Sequence, residues 1–201
     1  MPSTTTSTPA ASSTTSLTVL GGLAVLGAPG LLVEQIIRHA FSLGSSQSSN
    51  GTNVAGLVYL IGWAAAMIGW RRLRATGNGM AALVVFAVQM VGLSLAAGQQ
   101  LIDLTHPAKL VGSAFYGICD VAWPLSHLLM LVVGGMTLAA KRIRGPLRFA
   151  PLACGLVLPV AFALGSISHS EAMQWSFGVI TTACFAAQGI AVMREARAAQ
   201  R

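Results

Sequence analysis

The chemistry this chain can offer is concentrated in one apolar stretch, "FYGICDVAWPLSHLLMLVVGG", which holds Asp120, Pro124 and His127. Histidine changes its charge near neutral pH, so an imidazole coupled to an acid can serve a proton-linked pathway or a pH sensor. The spacing of seven returns Asp120 and His127 to the same face of a helix, but about 10 Å apart along its axis, so they cannot bond directly. Between them Pro124 has no N–H, which leaves the carbonyl of Asp120 without its helical donor and should kink the helix. In lipid such a carbonyl needs a neighbouring helix, a side chain or water. The expectation is a kinked helix whose polar stripe faces a place that can hydrate it.

A second stretch repeats the theme. In "GAPGLLVEQIIRHAF", Pro29 frees the carbonyl of Val25 and Gly30 adds flexibility, which splits the segment into two half-helices. Glu34 and Arg38 stand one turn apart in the favourable order for an ion pair, with Gln35 and His39 on the adjacent flank. This amphipathic half-helix is expected to line the mouth of a site, in preference to lying along the interface. Gln89 is a neutral polar group near mid-depth. The candidates for binding a ligand or proton are therefore His127, Asp120, Glu34 and Gln89, with Pro29, Gly30 and Pro124 as the break and the kink. Asp103, His106, His169 and Glu171 fall at the rim, where water solvates them. The 4 histidines lie in four different segments without a metal-binding spacing, so no metal site and no cofactor are specified. Both lysines fall in loops, so the Schiff-base lysine of the microbial rhodopsins has no counterpart. Only His127 lies well inside a span, unlike the paired histidines of b561-type cytochromes.

The elements that must position these residues follow from composition. At 54% hydrophobic and 8% charged, the 201 residues cannot cover a soluble globule with polar side chains. Apolar runs near the ~20 residues needed to cross a bilayer occur six times, at about Leu17–Phe41, Val54–Trp70, Met80–Ile102, Phe115–Ala140, Phe149–Ser168 and Ala172–Met193. Short connections make these an all-α bundle of antiparallel hairpins, a polytopic membrane protein with no second domain. Residues 1–16, rich in Ser, Thr and Pro, read as a disordered tail without a signal peptide, 17–194 as the membrane domain, and 195–201 as a short basic tail.

The charge of +7 is carried by 12 basic residues, of which only Arg38 and Lys109 fall away from the ends of the second, fourth and sixth runs. That bias sets both termini in the cytoplasm and argues against nucleic acid as the partner, leaving the bilayer and a small solute or ion. Depth then places His127 about 21 Å from Lys141, in the outer third of the core, and Asp120 about 31 Å away, at the outer boundary.

Trp70, Tyr116, Trp123 and Trp175 suit interfacial aromatic belts. Cys119, Cys154 and Cys184 count to different depths, so mutual disulfides are not expected. Small residues four apart, such as Gly62 with Ala66 and Gly92 with Ala96, allow close helix approach.

Three functions fit this pattern. The preferred one is a multi-pass protein of the prokaryotic inner membrane whose polar cavity opens outward, as a small-solute, ion or proton-linked pathway or sensor. The alternatives are a membrane-embedded metal- or haem-dependent enzyme using the histidines and acids near the outer face, and a non-catalytic accessory protein. The residues name no substrate and set no oligomeric state.

Overall fold

A computed structural model describes residues 11–43, 47–106, 109–165 and 171–199. Its helices are α1 (Ala11–Gly27), α2 (Gly30–Ala40), α3 (Asn50–Arg72), α4 (Met80–Thr105), α5 (Ala114–Ala140), α6 (Ala150–Gly165) and α7 (Glu171–Ala198), with a short 3₁₀ turn at Pro146–Phe149. Among the described residues there is no strand. These helices supply 6 membrane-length apolar spans, the first of which, Thr14–Ala40, is shared by α1 and α2. The protein is an all-α polytopic bundle, and the expected division of the first span is present.

Each helix from α3 to α7 packs on the next in sequence, and α1 closes the circle by packing on both α3 and α7. The seam depends on missing side chains, because a Cβ on Gly21 would stand 2.7 Å from the Gly189 carbonyl of α7, and one on Gly27 would stand 2.6 Å from Gly62 Cα of α3. Such approach supplies the van der Waals contact that holds helices together where lipid is as apolar as their side chains. The large apolar side chains left outside, Leu26, Ile61, Val91 and Phe162 among them, face the solvent that the bundle is built for.

Two boundaries are corrected. Residues 11–16, expected in the polar tail, form the opening turns of α1, where Ser16 Oγ accepts a hydrogen bond from Arg72 Nη1 at 2.6 Å. At the other end α7 runs through residues 195–198 of the expected basic tail, with Ala196 fully buried. Residues 1–10 and 200–201 lie outside the described residues, as does His169.

Candidate functional site

Pro29 ends α1 because it has no N–H to give. Ala28 N still donates to Ala24 O at 3.1 Å, helical bonding resumes with Val33 N to Pro29 O at 2.8 Å, and the carbonyl of Val25 is the group bypassed. Gly30 then lets α2 settle directly on α3, since a Cβ there would stand 2.5 Å from the Ala55 carbonyl and 2.7 Å from Tyr59 Cβ. The break in the first span is thus seated on Tyr59. Tyr59 in turn reaches the centre of the bundle, where its hydroxyl lies 3.0 Å from His127 Nε2.

His127 has no solvent exposure at all. Its other nitrogen, Nδ1, lies 3.3 Å from the carbonyl oxygen of Trp123, one turn earlier on α5. A carbonyl can only accept, so Nδ1 carries the proton, and the lone pair of Nε2 accepts from the Tyr59 hydroxyl. Both nitrogens of a neutral imidazole are satisfied by these two bonds. Aromatic rings enclose the group: Trp63 of α3 and Trp123 of α5 each meet it edge-on at 4.6 Å between centroids, and Phe185 of α7 stands at 5.8 Å. Edge-to-face rings at such distances add to burial energy, so the cluster also locks α3, α5 and α7 together.

The bundle also buries polar atoms with no hydrogen-bond partner. Gln89 on α4 is fully buried, and neither its amide nitrogen nor its carbonyl oxygen is paired. Ser126, next to His127 in sequence, holds an unpaired hydroxyl against α4 at Gly92, where an added Cβ would collide with it. Trp63 Nε1 is unpaired within the cluster, and so are Thr181 Oγ1 and Gln188 Oε1, one turn to either side of Phe185 on α7. Each such atom costs about 1–3 kcal/mol when buried without a partner, so each is a point at which a hydrogen-bonding group would be stabilising.

The two acids expected beside His127 are elsewhere. Asp120 is exposed and accepts from Gln99 Nε2 of α4 at 3.1 Å, while Asp103 accepts from the Tyr116 hydroxyl at 3.0 Å, so the rim acids tie α4 to α5. Glu34 pairs with Arg38 at 2.9 Å, as their spacing foretold. His39 packs edge-on against Trp175 of α7 at 5.7 Å, and Gln35 lies against Gly178 of α7. The polar flank of α2 is therefore turned toward α7. Pro124 lies inside α5, which is helical throughout Ala114–Ala140. Among the described residues no three His, Cys, Asp or Glu side chains come together.

Trp123 and Trp70, expected in interfacial belts, pack against the bundle interior. Trp123 faces His127 instead, and Trp70 is 1% exposed, packed with Ala24, Ile143 and Val192 at the basic end of the bundle. The depths expected of the cysteines are corrected too. Cys154 of α6 and Cys184 of α7 belong to one packed cluster, and Gln188 Nε2 of α7, one turn beyond Cys184, donates to Cys154 Sγ at 2.8 Å. Counting along each helix missed this because which side chains meet is set by how α6 packs on α7.

Tyr59, Trp63 and Phe185 had no distinguishing signal in sequence. The only trace was Tyr59 and Trp63 standing four apart on one face of a span otherwise rich in small residues. No protein family, curated protein or solved structure matches the chain.

Proposed function

We propose that the chain is a multi-pass protein of the prokaryotic plasma membrane, with its basic end in the cytoplasm, and that the cluster around His127 is the binding point of a small-solute pathway or sensor. The observation that carries this reading is the set of buried, unpaired polar atoms on Gln89, Ser126 and Trp63, with Trp63 packed edge-on against the satisfied imidazole. Aromatic and aliphatic walls with a few convergent donors and acceptors are the usual lining of a small-molecule site. The solute is small, uncharged and capable of hydrogen bonding, because neither Asp120 nor Glu34 bonds to His127 and both have other partners. A metal-centred alternative is less well supported, since the Nε2 lone pair that would ligate is already engaged by Tyr59. Entry requires the bundle to open, and the break at Pro29, seated on Tyr59, is the element suited to move.

Gln89→Leu tests this reading. Removing two unpaired buried groups should raise the melting temperature of the protein without solute, by the equivalent of about 1–3 kcal/mol. In a thermal-shift panel of small amides, polyols and ureas in nanodiscs, the native protein should show saturable stabilisation by one class, and Gln89→Leu should lose it. Stabilisation by Gln89→Leu with no response of the native protein to any class would leave these atoms as packing defects and overturn the proposal.

A further inference from the structure

The seam between α6 and α7 holds a second cluster, separate in its chemistry from the solute reading and independent of it. Cys154 is fully buried on α6, and its sulfur accepts a hydrogen bond from Gln188 Nε2 of α7 at 2.8 Å. Cys184 stands one turn from Gln188 on the same face of α7, half-buried and packed against the core cluster that contains Cys154. Ile180, one turn before Cys184 on the same face of α7, is exposed, so this is the side from which a reactant would arrive. Both thiols are free.

We propose that Cys154 and Cys184 form an intramembrane dithiol that oxidises to a disulfide linking α6 to α7, with a lipid-soluble quinone as the electron acceptor. The two S–H bonds break, one S–S bond forms, and two electrons and two protons pass to the quinone oxygens to give a quinol. Dithiol, disulfide, quinone and quinol are all neutral, so no step leaves a net charge in the bilayer, where an isolated charge costs several kcal/mol. Oxidation of one thiol alone toward sulfinate would leave such a charge. The Gln188 amide, already donating to Cys154, holds that sulfur at the seam, and Cys184, one turn away on the same face of α7, reaches it by side-chain rotation and a helix shift.

The full-length protein in nanodiscs, incubated with a short-chain ubiquinone analogue, then denatured and alkylated, tests the proposal by intact mass. The expected result is loss of two alkylated sites with a mass lower by about 2 Da before alkylation, and a cross-linked peptide pair containing Cys154 and Cys184, with Cys119 still alkylated. Cys184→Ser, checked for a native melting profile, should abolish the cross-link. Three alkylated sites after saturating quinone would overturn the proposal, as would a disulfide formed only with a water-soluble oxidant such as diamide, or one that includes Cys119.

Discussion

At the scale of single residues, the fixed tautomer of His127 is the most specific outcome of the structure. Its Nδ1 proton faces the carbonyl of Trp123 and its Nε2 faces a hydroxyl, so the ring is the Nδ1–H form. Nitrogen NMR of histidine-labelled protein should show one histidine with a protonated Nδ1 and a hydrogen-bonded, unprotonated Nε2 at neutral pH; an Nε2–H signal for His127 would contradict the arrangement. Tyr59→Phe keeps the ring packing against Trp63 and Phe185 but leaves the Nε2 lone pair buried and unpaired. The expected cost is about 1–3 kcal/mol, read as a lower melting temperature with a shifted Nε2 resonance. His127 was legible in the sequence because depth alone makes an imidazole in a span conspicuous. Its partners were not, since a tyrosine and a tryptophan in an apolar run look the same whether they face headgroups, lipid or a histidine. Asp120 misled for a related reason: the same helix face does not mean the same environment when one residue is at the rim and the other in the core.

Among the elements, the first span has the clearest division of labour. Pro29 and Gly30 announced the break in the sequence, since one removes a backbone donor and the other removes a Cβ. What the break rests on was not legible, because contact between Gly30 and Tyr59 is set by the register of two helices and not by either one. Gly30→Ala should force α2 off α3, because the added carbon meets backbone at 2.5 Å. Overpacking of this kind costs about 1–3 kcal/mol, and here it should also disturb the Tyr59–His127 bond. Gly22→Ala is the matched control, since nothing lies within 4 Å of its Cβ position, and it should be neutral or stabilising by up to about 1 kcal/mol. Equal melting temperatures for the two variants would show that the close approach at Gly30 contributes nothing.

For the whole molecule, orientation is the property with the most direct test. Ser48 and Asn78 are exposed at opposite ends of α3, and the basic residues Arg71, Arg72 and Arg74 gather at the Asn78 end. Cysteine at position 48, but not at 78, should react with a membrane-impermeant thiol reagent in intact cells, while both react after lysis. The reverse pattern would invert the topology. Six apolar runs made the spans easy to read because lipid demands apolar length whatever the packing inside. The order of helices around the circle was beyond such reading, since every run is apolar on several sides and none carries a label for its neighbour.

That circle has a consequence for how the protein is made. The first span emerges from the ribosome before any of its partners, yet the glycine seam that seats it requires α7, which is translated last of the described helices. Phe185, which completes the rings around His127, arrives on that same final helix. Until then α1 and α2 can lean only on α3, and His127 waits with one wall open. A chain truncated before α7 should therefore insert its first five spans and still lack its centre, so the site closes only after the last described helix has been made.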